Sequence, residues 1–304
     1  MLRILKGDKI KEEKRNESKT KNFFINVGKA LFYFGIYFGF QQIIGFIFAF
    51  SISFAYGMSL AVKGEMIEDV ALLEQIIMDK FLNMQGYILI ISAILTILTL
   101  LITFKIRKRK FADKLCIKKI KFNSIMPIAI LGITLNLFIV SILNLLPEEL
   151  IREYAQQSNA LIGDNLLIGL LAVVICAPII EEIIFRALMY THFKKVMPTA
   201  IAVLVSAVIF GLCHGQIIWI IYAIIIGIVF NTIFIRYKSL VASVLLHSTF
   251  NLTSFILYFA NIEFSLLPVL IIAGIIMVLS FIWIIIQTKI EEMKKENLES
   301  VAAK

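Results

Sequence analysis

The sequence predicts an all-α polytopic membrane protein, eight transmembrane helices packed as one bundle. Three observations carry this prediction. Of the 304 residues, 60% are hydrophobic, and mean hydropathy is +0.92. Apolar runs of about 18 residues or more, each long enough to cross a bilayer, recur along the chain. The short loops between them alternate between basic and acidic. The length alone would allow two domains, but spans that follow one another this closely make one unit.

Residues 1–29 hold nine Lys or Arg against four acids and read as a solvated cytoplasmic tail suited to an anionic lipid surface. They are charged through Lys21 and lack a short apolar core with a small-residue cleavage site, so span 1 is expected to insert as an uncleaved anchor. Span 1 runs from Ala30 to Tyr56. Residues 57–85 form an acidic loop with Glu65, Glu68, Asp69, Glu74 and Asp79. Within it Met66, Val70, Leu73, Ile77 and Phe81 recur at helical spacing, which predicts a short amphipathic surface helix. Span 2 covers Gly86 to Phe104. Lys105 to Lys121 is the most basic loop, with nine Lys or Arg against Asp113 alone.

Span 3, Ser124 to Leu146, leads to an acidic loop with Glu148, Glu149, Glu153 and Asp164. Span 4, Leu166 to Tyr190, precedes Lys194 and Lys195. Span 5 begins near Pro198, a residue suited to a first helical turn, and ends near His214. Span 6 is Ile217 to Ile235, followed by Arg236 and Lys238. Span 7 is Leu240 to Ala260, with Glu263 after it, and span 8 is Phe264 to Ile286, with a mixed-charge tail. The chain thus divides into a basic tail (1–29), spans 1–3 (30–165), a core of spans 4–7 (166–260), and span 8 with its tail (261–304).

With the N-terminus in the cytoplasm, 26 of the 30 basic residues fall inside and three outside (Lys63, Lys80 and Arg152), while Arg186 is in the membrane. The positive-inside rule then holds at every loop, so both termini are expected in the cytoplasm and the plasma membrane is the expected location. The net charge of +9 is a topology signal, which argues against a nucleic-acid partner. Cys116, Cys176 and Cys213 show no repeating spacing and two lie in spans, so neither a disulfide framework nor a cysteine-based zinc site is expected.

Span 4 carries three ionisable residues, Glu181, Glu182 and Arg186. Each costs roughly 2.5–3.5 kcal/mol at mid-membrane even on a lenient insertion scale, so such residues mark function by default. His214 and His247 are the other ionisable residues inside spans; His192, beside Lys194 and Lys195, reads as a solvated loop histidine. For His214 and His247 the alternative is a core histidine bonded across helices, but two of them accompany the Glu-Glu-Arg group. Glu182 and Arg186 are four apart, share a helix face and can neutralise each other, which leaves Glu181 to face a cavity. Pro178 removes a backbone N–H and is expected to kink span 4 just before the glutamates. His247 and Asn251 share a face, as do Phe210 and His214. By helical rise, Glu181, His247 and Asn251 come out at similar depth, whereas His214 comes out nearer the outer face.

A carboxylate beside a histidine can hold and deprotonate a water, and a second imidazole with an amide can donate to a developing oxyanion. Such a set suits amide hydrolysis by activated water. Ser243 and His247 are also four apart, but there is no G-x-S-x-G elbow. Glu181, His214 and His247 could instead hold zinc with an open position, although no H-E-x-x-H occurs.

Three motifs stand in order on successive apolar spans: Glu-Glu-x-x-x-Arg (181–186), Phe-x-x-x-His (210–214) and His-x-x-x-Asn (247–251). Together with Ala-Pro-x-x-Glu-Glu-x-x-Phe-Arg and Phe-Gly-Leu-x-His, they resemble the CAAX protease and bacteriocin-processing (CPBP, Abi-type) family, relatives of the Rce1 prenyl-protein endopeptidase, over roughly Leu166 to Leu257. The resemblance implies an intramembrane endopeptidase with its active site on spans 4, 5 and 7. Glu181 and His214 would activate water, His247 and Asn251 would form an oxyanion hole, and Glu182, Arg186 and Phe210 would support them. It leaves open a metal-dependent or a metal-independent glutamate mechanism; without a zinc motif, no cofactor is expected. Ala187 departs from the Gly common after the Arg in bacterial members. The Ile-, Lys- and Asn-rich composition points to an AT-rich bacterial or archaeal genome and favours a membrane-associated peptide or protein substrate over a prenylated one. Two other readings are a non-proteolytic partner or immunity protein of the same family and a proton-coupled carrier, the latter lacking any repeat between the halves.

Overall fold

The computed structural model describes residues 2–64, 70–260 and 266–302, with side chains placed over 17–64, 70–260 and 267–300. Every regular element among them is helical: α1 (Leu2–Lys63), α2 (Val70–Asn83), α3 (Gln85–Ile106), α4 (Phe111–Lys114), α5 (Phe122–Leu143), α6 (Glu148–Ile162), α7 (Leu166–Phe193), α8 (Thr199–Leu212), α9 (Ile217–Tyr237), α10 (Leu240–Ala260) and α11 (Leu266–Ala302). Among the described residues seven helices, α1, α3, α5, α7, α9, α10 and α11, are long and apolar enough to cross a membrane, which makes this a multi-pass membrane protein. The expected eighth crossing, α8, has 14 residues. At 1.5 Å per residue it is about 21 Å long, short of a hydrocarbon core of about 30 Å.

The expected tail and one expected acidic loop are helical. Residues 2–29 continue span 1 in one helix of 62 residues. Lys and Glu are good helix formers, and a helix satisfies its own backbone as it leaves the bilayer, so nothing forces a break there. Residues 148–162 form α6, with Glu148 and Glu149 in the first turn where the helix dipole favours acids. The expected surface helix is α2, packed between α1 and α6 with none of its residues buried. Glu65, Met66, Glu68, Asp69 and Glu263 lie outside the described residues.

Small residues let the spans approach closely, as they must where association rests on van der Waals packing. A Cβ on Gly132 of α5 would fall 2.1 Å from Thr249 Oγ1 and 2.7 Å from the Leu246 carbonyl of α10. A Cβ on Gly211 of α8 would fall 2.9 Å from the Ile220 carbonyl of α9. The bundle interior is filled by Phe185, Phe210, Phe230, Ile184 and Leu188, all fully buried, while Phe50 and Phe54 of α1 point outward as expected of a lipid-facing surface.

Candidate active site

The winding of α7 changes around its acidic residues. Leu171–Cys176 and Ile183–Tyr190 wind as π-helix on either side of an α-helical turn, Ala177–Glu182. Pro178 opens that turn, so the expected kink takes the form of a change in winding. Such π segments recur at functional sites because they free backbone groups and redirect side chains. Pro178 has no N–H to give to the carbonyl five residues back, that of Val173. Asn251 Nδ2 of α10 donates to that carbonyl at 2.8 Å. One N–H of Asn251 thus fastens α10 to α7, and the other is left for the cavity.

Behind the cavity sits a wholly buried pair. Arg186 Nη1 is 3.0 Å from Glu182 Oε1 and neither side chain has any exposure. The guanidinium also lies 4.4 Å from the Phe210 ring centroid and 5.3 Å from that of Phe230, with Nη2 donating to the Gly227 carbonyl at 3.4 Å. Cation–π contact of this kind strengthens away from water. Glu182 Oε1 is also 2.9 Å from His247 Nδ1. That nitrogen faces a carboxylate, so it carries the hydrogen, and Nε2 turns to the cavity. The imidazole is held further by the Phe230 ring, centroids 4.6 Å apart.

A cavity of about 750 Å³ opens in front of this pair, lined by Glu181, His214, His247, Asn251 and Phe210. Glu181 Oε2 lies 3.8 Å from His247 Nε2. His214 shares the wall, but no hydrogen bond or ion pair joins it to Glu181. α8 stops at Leu212 and the chain turns through Gly215 (φ +75°) before α9, so His214 sits in the turn that follows α8. Its Nδ1 lies 3.0 Å from the Phe210 carbonyl, so Nδ1 donates and Nε2 keeps its lone pair. Gln216 caps α9 by accepting from the Trp219 N–H at 2.9 Å, which sets the Trp219 ring 5.2 Å from His214.

Several wall residues lie outside the motifs. Tyr37, Gln41 and Gln42 come from α1, and Gln41 Nε2 donates to the Tyr37 hydroxyl at 2.9 Å. Tyr154 of α6 also lines the cavity and packs edge-on to Trp219. Two adjacent glutamines in mid-span were the signal available for the first group; Tyr154 carried none, because α6 reads as an acidic loop. Ser243, which donates to the Leu240 carbonyl at 3.2 Å, is not part of the wall. His192 is buried rather than solvated, stacked on Tyr33 with Nδ1 3.0 Å from Asn26 Oδ1, because α1 continues past the bilayer and covers it. Among the described residues no three His, Cys, Asp or Glu side chains gather to hold one metal ion, and Glu181, His214 and His247 share the wall without converging.

The buried glutamates, histidines and amide thus gather around one cavity of a multi-pass membrane protein. Residues 163–253 match the family described as type II CAAX prenyl endopeptidase Rce1-like. The match covers α7, α8, α9 and much of α10, and so every motif residue. Comparison with curated proteins and with solved structures gives no match.

Proposed function

We propose that this protein is an intramembrane endopeptidase that hydrolyses a peptide bond of a membrane-associated peptide or protein by activated water. The observation that carries the reading is the division of labour between adjacent carboxylates. Glu182 is consumed by Arg186 and His247, whereas Glu181 is held at the cavity wall 3.8 Å from His247 Nε2. A water between Glu181 and His214 Nε2 gives a proton to the Glu181 carboxylate as its oxygen attacks the scissile carbonyl carbon. The oxyanion that forms is met by the cavity-facing N–H of Asn251, with the imidazole of His247 beside it. Glu181 then passes its proton to the leaving nitrogen as the C–N bond breaks. In this reading α8 with its following turn counts as an eighth, incomplete crossing, and both termini lie on the cytoplasmic side of the plasma membrane.

The test is cleavage of a fluorogenic peptide panel by detergent-purified protein, wild type beside Glu181→Gln and His214→Ala, with and without a strong chelator. Wild-type cleavage that survives chelation and is lost in both variants is the expected result. Loss on chelation with recovery on zinc would make Glu181, His214 and His247 ligands instead. Equal cleavage by all three proteins would overturn the residue assignment.

A further inference from the structure

Aromatic rings tie the middle of α1 to the ends of α3 and α7 and to α4. His192 stacks on Tyr33 at 5.9 Å, Tyr33 meets Phe104 at 6.1 Å, and Phe104 meets Phe111 at 5.9 Å. Asn26 Nδ2 donates to two oxygens of Asn22, so its Oδ1 accepts from His192 Nδ1. His192 Nε2 is left buried without a partner among the described residues.

This stack gathers cations from separate segments. Lys29 lies one turn before Tyr33, Arg109 and Lys114 flank Phe111, and Lys195 follows His192 by three residues. Lys114 is half-buried, and its ammonium is held below its ordinary value first by burial and then by the charges of Lys195, Arg109 and Lys29. None of these four forms an ion pair among the described residues. Three other basic residues do meet acids of α11: Lys121 with Glu291 at 2.9 Å, Lys238 with Glu292 at 3.8 Å and Lys295 with Glu299 at 3.7 Å. Four like charges brought together without an ion-pair partner among the described residues repel one another, and an anion at their centre reverses the sign of that interaction. The neighbouring outer surface of α1 is apolar, with Phe24 67% and Phe32 53% exposed, so the ligand must join an anion to hydrocarbon.

We infer that Lys29, Arg109, Lys114 and Lys195 form a binding site for the phosphate of an anionic membrane lipid, its acyl chains lying along the phenylalanines of α1. Arg109 supplies a fork for paired phosphate oxygens, and the lysines supply point charges. A free phosphate offers the same anion without the hydrocarbon.

The site is tested in the full-length protein in neutral detergent, without reference to any cleavage activity. Phosphatidylglycerol, phosphatidylcholine and inorganic phosphate are titrated separately, with retained lipid read by native mass spectrometry and protection by the thermal midpoint. The variant Lys29→Gln/Arg109→Gln/Lys114→Gln/Lys195→Gln is set beside Lys121→Gln/Lys238→Gln/Lys294→Gln/Lys295→Gln, which removes equal charge from beside and along α11. Wild type and the second variant should bind phosphatidylglycerol at least about tenfold more tightly than the first, since each basic residue near an anionic headgroup contributes severalfold. The exposed pair Lys29→Gln/Lys195→Gln alone should show a smaller loss in the same direction. Equal loss in both fourfold variants, or equal binding of phosphatidylcholine, would overturn the site. Equal protection by inorganic phosphate would overturn the lipid and leave a soluble anion.

Discussion

Glu182→Leu removes the carboxylate that meets Arg186 at 3.0 Å and His247 Nδ1 at 2.9 Å, with Arg186 wholly buried. Breaking a buried ion pair by deleting one partner costs about 3–5 kcal/mol, because the survivor stays charged and dry. Part of that is offset by the Phe210 and Phe230 faces and the Gly227 carbonyl, which remain on the guanidinium. The net cost should be about 3 kcal/mol. Arg186→Met should cost less, about 2 kcal/mol, because Glu182 keeps the His247 contact. In the double variant no unpaired charge remains, so its cost should fall below the sum of the singles by about 2 kcal/mol. The assay is reversible unfolding in mixed lipid–dodecyl sulfate micelles, taken around the full double-mutant cycle. Additivity within about 0.5 kcal/mol would refute the claim that the two residues act as one buried unit.

Other perturbations follow from the same geometry. Gly132→Val should destabilise by at least about 1–3 kcal/mol in the same unfolding assay, and Thr249→Ala should not rescue it, because the Leu246 carbonyl is also in the way. Asn251→Leu should lose cleavage and also about 1–2 kcal/mol of stability by orphaning the Val173 carbonyl; Pro178→Ala, which restores an N–H to that turn, should recover stability but not cleavage. Phe230→Leu should leave the fold intact while lowering kcat by roughly tenfold, since it frees the His247 ring and, for each ~1.4 kcal/mol of lost orientation, one decade of rate goes.

The site was legible in the sequence where chemistry sits at helical spacing. Glu181, Glu182, Arg186, His214, His247 and Asn251 stand out because charge and imidazole are costly in apolar spans. The pairing of Glu182 with Arg186 follows from four-residue spacing alone. The second partner of Glu182, His247, lies 65 residues away, and no local spacing encodes that contact. Phe230 and Trp219 are ordinary span residues until packing brings them against the two imidazoles. Tyr37 and Gln41 show the same limit, since only the approach of α1 to the cavity gives them a role.

By itself, then, the sequence determined the membrane solvent, the all-helical architecture and the set of chemical groups, because hydropathy and the cost of buried charge are read residue by residue. The tertiary structure decided which carboxylate is free and which is consumed, that α8 stops short so that His214 reaches the cavity, and that His192 is covered rather than wet. These depend on distances between segments far apart in the chain, and on helix ends set by turns and caps, which periodicity locates only within a few residues.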